Sequence, residues 1–537
     1  MQLRSGMFFS KILLMETPKA LMKKRYAVAG ASAAVFYFLV HGYRFFNPLF
    51  SGDALLMIYQ NDAAWQIALG RFAQGALVFL RGGITSPFLI SLLAVLWTAL
   101  AVCFAADLLQ IKSISALVLN GAIMGVSPAM ISANANFLPW VDFYALALFL
   151  AVLGVWLVRK GKLLFVTAGI LALCGCMAIY QAYICVAIGL FMIGILMELL
   201  EKTSFTQSIK KILTAAGSLF AAALLYYLVW KVFQKVFHIW TSDSYNGLAT
   251  VGDYSQLSVF SVLGLTYRNV WLYFWEPLRF ITMTFREKDL SLLWVFLLRA
   301  ANLAVPALIL YFLFRLWLKK QSAAWSVALQ LLILLLFPFG INFVCFLSKG
   351  MEHSLMTYAF CLVYLLAAAL WERWRAEAPD KKQPGNAGKT AEPLIVPLIL
   401  IMSVQLWAGI VYANQVYLKK QAQEEAARSL MTRILCEIES ADGYVPGVTP
   451  VAFTGSFETS PYIEPLTDFR ELLTWGMGQT ALTYIGTDFA YLKYFENMRM
   501  NLTRVDASDV RVQAMPAYPL RGSVAMVDDV VVVKISD

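Results

Sequence analysis

Charged residues are scarce in this sequence, and that scarcity excludes a soluble protein. Only 14% of the 537 residues are Asp, Glu, Lys or Arg, whereas 60% are hydrophobic. A soluble domain cannot hide so much apolar surface, so lipid must be the solvent for most of the chain. The sequence also has no Walker loop, no G-x-G-x-x-G turn after a strand and no H-E-x-x-H motif. Nothing therefore indicates a nucleotide-binding loop or a zinc-peptidase site.

Cysteines are few as well, and they do not form a recognisable site. The chain has seven, scattered, six of them inside or beside apolar segments. Cys174 and Cys176 have neither the spacing nor the histidines of a zinc site. We interpret the cysteines as small apolar core residues. The net charge of +10 lies mostly in loops between apolar segments, so it predicts membrane orientation and no nucleic-acid partner.

The apolar segments are long and continuous, which predicts helices rather than an alternating β-barrel. At about 20 residues for each crossing, we predict about eleven spans. They lie near residues 26–45, 85–106, 114–132, 138–158, 163–179, 181–200, 212–236, 290–316, 323–346, 354–372 and 393–413. The first is too long for a cleavable signal peptide and should stay as an anchor.

Lysine and arginine predict the orientation of these spans. Basic residues precede the first span and follow the fourth, sixth, eighth and tenth, which places them all on one side. The positive-inside rule makes that side the cytoplasm. We therefore predict a cytoplasmic segment 1–25, a transmembrane domain 26–413 with outer loops 46–84 and 238–289, and an extracytoplasmic domain 414–537.

The tail differs in composition from the spans and predicts a small α/β domain. Its elements are a charged helical run Lys419–Glu439, a strand Pro450–Thr454, a helix Asp468–Trp475, and a hairpin formed by Ser523–Val527 and Val530–Ile535. The predicted fold class is therefore mainly α: a polytopic transmembrane helix bundle with a small extracytoplasmic α/β domain at its C-terminal end.

The first outer loop gathers polar residues at the mouth of the bundle, and Asp53 is our first catalytic candidate there. Asp53 could cap a helix or act as a general base toward a lipid-borne substrate. Asp62, the second candidate, is half a helical turn out of phase with Asp53. Either only one of them faces a pocket, or the segment bends between them.

Residues 54–72 place apolar side chains, including Trp65 and Phe72, near one face of a helix. This pattern predicts an amphipathic helix lying in the membrane interface. Arg71 closes the helix. A guanidinium at this level either binds a phosphate group bidentately or snorkels toward lipid headgroups.

Further polar residues lie at outer span ends and in the second outer loop, and each has two interpretations. Asp142 is a functional acid or a helix cap. Tyr180 and Gln181 could hydrogen-bond sugar hydroxyls or belong to an aromatic belt. Arg268 and Arg279 lie in a second predicted interfacial helix, Tyr267–Phe280, and either hold a lipid phosphate or anchor the helix. His353, in a short outer turn, is weak evidence for catalysis.

Four segments resemble a known family. They are NPLFSGDALLMIYQNDAAWQIALGRF, TSPFLISLLAVLWTALAV, PWVDFYALALFLAVLGVWL and AIYQAYICVAIGLF, in that order. They resemble the bacterial glucosyltransferases typified by the phage-encoded O-antigen serotype-converting enzymes. These are polytopic glycosyltransferases of the GT-C type that use a polyprenyl-phosphate sugar donor. The resemblance covers roughly the first 200 residues and the later spans by topology alone.

The resemblance implies an inverting hexosyltransferase of the bacterial plasma membrane. It would move a sugar, expected to be glucose, from polyprenyl phosphate to a cell-surface glycan. It implies an acidic base in the first outer loop, which matches Asp53, then Asp62. Some family members have two adjacent acidic residues there, whereas this chain has Gly52 before Asp53. Some GT-C enzymes use a divalent cation, but no set of metal ligands is recognisable here.

Under this interpretation the remaining candidates bind substrate. They are Trp65, Arg71, Asp142, Tyr180, Gln181, Arg268 and Arg279. The competing interpretation is a transporter or flippase for a lipid-linked sugar, which predicts broken helices and ionisable residues at the bilayer midplane. Charges are few at the span centres and gather at the outer ends, which favours an enzyme.

Overall fold

The computed structural model describes most of the bundle and part of the tail. It covers residues 18–50, 54–55, 57–58, 63–201, 203–240, 258–275, 292–351, 353–377, 395–457, 460 and 500–537. Three predicted site residues, Asp53, Asp62 and Arg279, lie outside the described residues, as does the predicted helix Asp468–Trp475.

Helices dominate the described chain. They are α1 (Pro18–Phe46), α2 (Ala63–Ala68), α3 (Ala73–Leu80), α4 (Pro87–Leu108), α5 (Ile114–Gly125), α6 (Pro128–Asn136), α7 (Val141–Val158), α8 (Leu163–Ile179), α9 (Ile184–Leu199), α10 (Phe205–Phe237), α11 (Val259–Trp275), α12 (Leu292–Lys320), α13 (Ala324–Ile341), α14 (Phe343–Leu347), α15 (Leu362–Ala376), α16 (Ile395–Glu439) and α17 (Val510–Ala514). Short 3-10 turns cover Leu138–Trp140, Gln181–Tyr183 and Ser354–Cys361.

Ten helical stretches of the described chain are long and apolar enough to cross a membrane, judged by length and composition. The predicted span at 163–179 corresponds to α8, an apolar helix of 17 residues, which is shorter than the other ten. The prediction of a polytopic helical bundle is confirmed. The apolar runs, each about 20 residues long, therefore located the membrane-spanning helices.

Small residues let the central helices approach closely. α1 packs against α4 and α5, and α7 packs against α4 and α8. A Cβ atom at Gly121 of α5 would lie 2.8 Å from Cβ of Ser32 in α1. Similarly, a Cβ atom at Gly154 of α7 would lie 2.7 Å from the side chain of Leu173 in α8. These glycines shorten the distance between helices in the way that membrane bundles favour.

The predicted span at 114–132 is broken in the middle. α5 ends at Gly125, and α6 begins at Pro128. A proline ring pushes the preceding residue out of the α region. Ser127 accordingly has φ −56° and ψ 131°, so it cannot continue the helix.

The described part of the tail contains a four-stranded sheet in the order β2-β1-β4-β3. The strands are β1 (Pro450–Thr454), β2 (Asn501–Leu502), β3 (Val524–Val527) and β4 (Val530–Lys534). β1 pairs in parallel with β2 and β4, whereas β3 and β4 form an antiparallel hairpin. Asp528 and Asp529 turn the hairpin with φ values of 47° and 64°, since aspartate tolerates the left-handed region.

α16 joins the bundle to the tail without interruption. It runs for 45 residues, from the last apolar segment through the charged run predicted as a separate helix. The charged run is rich in Lys, Gln, Glu and Ala, which are strong helix formers, and no Gly or Pro separates it from the span. The span and the charged segment therefore form one continuous helix, which packs against β3 and β4.

Candidate functional site

The first outer loop is built differently from the single helix predicted over residues 54–72, so that prediction is wrong. α2 ends at Ala68, and a separate helix α3 begins at Ala73. Gly70 lies between them with φ +75°, a left-handed conformation that ends a helix and that favours glycine. Ile67 and Leu69 are buried rather than facing lipid. The apolar periodicity here serves packing within the protein.

Three side chains from other segments complete this turn. They donate to its last carbonyl groups: Trp230 Nε1 to Ile67 O at 2.6 Å, Gln181 Nε2 to Leu69 O at 2.8 Å, and the Tyr226 hydroxyl to Gly70 O at 3.1 Å. Carbonyls at a helix end need such partners when they are buried. A Cβ atom at Gly70 would lie 2.2 Å from the Tyr226 hydroxyl oxygen, so the turn has no room for a larger residue.

The glycine turn positions Arg71. Its guanidinium carbon lies 4.9 Å from the centroid of the Tyr180 ring, a cation–π contact. The next residue, Phe72, packs its ring 4.8 Å from Phe233 and stacks on Tyr226 at 5.8 Å. Arg71 is half-buried, and its guanidinium is the part that contacts the Tyr180 ring.

His353 lies within electrostatic range of Arg71, and the 3-10 turn that follows His353 contacts the turn Gln181–Tyr183. It precedes the 3-10 turn Ser354–Cys361, and its Nδ1 accepts a hydrogen bond from Leu355 N at 3.2 Å. Its ring meets Phe137 edge to face, with centroids 5.6 Å apart. Burial, and then the positive charge of Arg71, lowers the pKa of His353 to about 4. The imidazole is therefore neutral at physiological pH.

We refer to Arg71, Tyr180, Gln181 and His353 as the Arg71 site. It joins the first outer loop to the turn between α8 and α9 and to the turn before α15. Three of its members, Arg71, Tyr180 and Gln181, are substrate-binding residues in the prediction from the sequence. The sequence drew attention to His353 only as a lone outer histidine; its proximity to Arg71 had no local signal.

Asp142 has a partner that the sequence did not reveal. Its carboxylate oxygen lies 2.6 Å from Nη1 of Arg81, and each side chain is only 3% exposed. Arg81 also donates through Nη2 to Pro139 O at 2.8 Å and lies over the Phe143 ring at 4.6 Å. This ion pair ties the end of α3 to the start of α7, next to the Arg71 site.

A second buried cation, Arg44, was also missed. It lies in the last turn of α1 and is fully buried. Its Nε donates to Asn134 O at 3.0 Å and its Nη1 to Asn47 O at 2.6 Å. An arginine inside an apolar span was the available signal. The contacts show that it holds the carbonyls at the end of α6 and at the beginning of the first outer loop.

The remaining candidates lie on the periphery of this arrangement or outside it. Trp65 on α2 is 36% exposed, and Arg268 is exposed on α11. α11 packs against α12, α13 and α14. The roles assigned to Asp53, Asp62 and Arg279 stay predictions from the sequence. Among the described residues no group of three His, Cys, Asp or Glu side chains could hold a metal ion.

One comparison with known proteins found a match. The family model described as glucosyl transferase GtrII matches residues 42–367, which is more than half of the chain. The matched region contains every residue of the Arg71 site and the Arg81–Asp142 pair. Searches of curated proteins and of solved structures gave no match.

Proposed function

The chain belongs to the glucosyl transferase GtrII family, and from this premise we propose that it transfers glucose from a polyprenyl-phosphate donor to an extracytoplasmic glycan. As a family member whose described residues include ten helices long and apolar enough to span a membrane, it is a multi-pass membrane glucosyltransferase. The observation that carries the finer proposal is Arg71, a cation that lies over the Tyr180 ring in the first outer loop.

The proposed orientation places the Arg71 site outside the cytoplasm. At the opposite end of the bundle, basic residues form ion pairs with glutamates: Arg159 with Glu198 at 2.7 Å, Lys211 with Glu198 at 3.1 Å, and Lys320 with Glu377 at 3.0 Å. A basic end of this kind favours the cytoplasmic side. The donor would then lie in the outer leaflet, with its phosphate at the level of Arg71.

The proposed chemistry is an inverting, GT-C-type displacement. An acceptor hydroxyl oxygen attacks the anomeric carbon, and its proton passes to the Asp53 carboxylate. The bond from the anomeric carbon to the phosphate oxygen breaks, and the electron pair leaves with polyprenyl phosphate. Arg71 stabilises the negative charge that develops on this leaving group. The role of Asp53 comes from the sequence and the resemblance alone.

The test measures glucosylated product from a polyprenyl-phosphate glucose donor in proteoliposomes. Asp53→Asn should lower the rate by about 10²-fold or more, since a general base contributes roughly that much. Asp62→Asn is measured beside it, because Asp62 is the second candidate for the base. Full activity of Asp53→Asn would remove Asp53 as the base. Donor flipping by the wild type without any glucosylated product would overturn the enzyme proposal itself.

One observation bears on the alternative proposal of a flippase. Beside the break between α5 and α6 lies a small cavity of about 40 Å³, with Ser127, Asn302 and Gln405 among its lining residues. Broken helices at mid-membrane are typical of transporters. However, none of the lining residues described is Asp, Glu, Lys, Arg or His, and ionisable groups at this depth are what a transport pathway requires.

A further inference from the structure

One ring nitrogen of His353 accepts a hydrogen bond, and the other has no acceptor among the described residues. Leu355 N donates to Nδ1 at 3.2 Å, so Nδ1 carries a lone pair and no proton. A neutral imidazole with an accepting Nδ1 must carry its proton on Nε2. Within the described ranges no side chain or carbonyl accepts a hydrogen bond from Nε2. His353 therefore presents an N–H donor and no basic nitrogen to a ligand.

The charge of the surroundings keeps His353 in this form. Burial is the larger cause, and among the described residues the charge of Arg71 is the second, so that the pKa of His353 is lowered to about 4. Phe137 packs against the edge of the imidazole. Hence this region offers the guanidinium of Arg71, over the Tyr180 ring, and the neutral N–H donor of His353.

We propose that His353 binds the phosphate group of the lipid-linked donor, donating its Nε2–H to one phosphate oxygen while Arg71 pairs with the others. This inference rests on the proposed function. A tetrahedral anion offers several oxygens, so it can accept from a guanidinium and from a second donor together. A neutral donor adds a directional hydrogen bond without placing a second cation beside Arg71. In this tautomer His353 cannot be the general base.

Two amide substitutions separate the structural role of His353 from the binding role. His353→Asn keeps an acceptor at the position of Nδ1 for Leu355 N, since asparagine is a good cap residue, but it has no donor at the position of Nε2. His353→Gln places an amide N–H close to the position of Nε2. Arg71→Met removes the charge, and Lys235→Met, at an exposed position in the last turn of α10, is the control for loss of a surface cation.

The experiment measures binding of polyprenyl phosphate and of the uncharged polyprenol of equal length to the purified full-length chain in detergent micelles. Wild type should prefer the phosphate lipid. His353→Asn should weaken phosphate-lipid binding about tenfold, the usual effect of one hydrogen bond to a charged group. His353→Gln should keep most of the affinity, and polyprenol binding should be unchanged in every variant. Lys235→Met should behave as wild type.

Several results would overturn the assignment. One is wild-type phosphate-lipid affinity in His353→Asn, and another is an equal loss in the Asn and Gln variants. A parallel loss of polyprenol binding would show a structural role instead. Inorganic phosphate that competes as well as the lipid would exclude a lipid-borne ligand. If His353→Asn binds the phosphate lipid normally while wild type still forms product, this inference fails and the proposed function stands. If wild type neither binds the phosphate lipid nor forms product, the inference and the proposed function both fail.

Discussion

The Arg81–Asp142 pair predicts that removing one member destabilises the bundle more than removing both. The two side chains are each 3% exposed and 2.6 Å apart. Breaking a buried pair leaves an uncompensated charge, which costs about 3–5 kcal/mol. Replacing both members with apolar residues of similar volume removes the desolvation penalty together with the attraction, and is often close to neutral. Asp142→Leu should therefore be the worse variant, and Arg81→Met/Asp142→Leu should recover much of the loss.

The assay is thermal and denaturant unfolding of the purified protein in detergent, analysed as a double-mutant cycle with Arg81→Met as the other single variant. The exposed pair of Arg511 and Asp528 in the tail provides the control, because Asp528→Asn should leave unfolding unchanged. Two results would refute the reasoning: a double variant as unstable as the sum of the singles, or an Asp142→Leu variant with wild-type stability and a raised KM for the donor. The second result would restore Asp142 as a substrate-binding residue.

Two further predictions concern the Arg71 site. Gly70→Ala should destabilise the protein by about 2 kcal/mol, because residue 70 has a left-handed backbone and because the added Cβ atom would clash with Tyr226. It should also lower transfer activity. Unchanged unfolding and activity would show that the turn relaxes freely. Acidification from pH 7 to pH 5 should lower the free energy of unfolding by about 1–2 kcal/mol through His353. The reason is that the imidazole takes up its proton near pH 6.5 in the unfolded chain and only near pH 4 in the folded chain. Unfolding of His353→Asn should depend less on pH over this window, and an equal dependence would exclude His353 as the cause.

The parts of this fold that the sequence predicted well depend on local patterns. Continuous apolar runs located the spans because lipid requires about 20 apolar residues in each helix. Two aspartates between β-branched runs located the β3–β4 hairpin, with Asp528 and Asp529 at the turn. The order of four short segments was sufficient for the family. None of these predictions depends on which distant residues meet.

The prediction of one helix over residues 54–72 was wrong because a local pattern has more than one physical cause. Apolar residues at helical spacing are expected both for a helix lying on a membrane and for a chain buried against a bundle. Only the contacts of Gly70 with Tyr226 and Gln181 distinguish the two. A neighbour 156 positions away cannot be read from periodicity.

The sequence by itself determined that the chain crosses a membrane many times, that polar chemistry gathers in its first loop, and that it belongs with the glucosyltransferases. The tertiary structure alone decided which side chains share that site. Arg81 and Asp142 are 61 positions apart, and Arg71 lies over the ring of Tyr180, which follows a different helix. Local propensity acts over one or two turns, whereas burial and charge pairing act between whatever surfaces the folded bundle brings together.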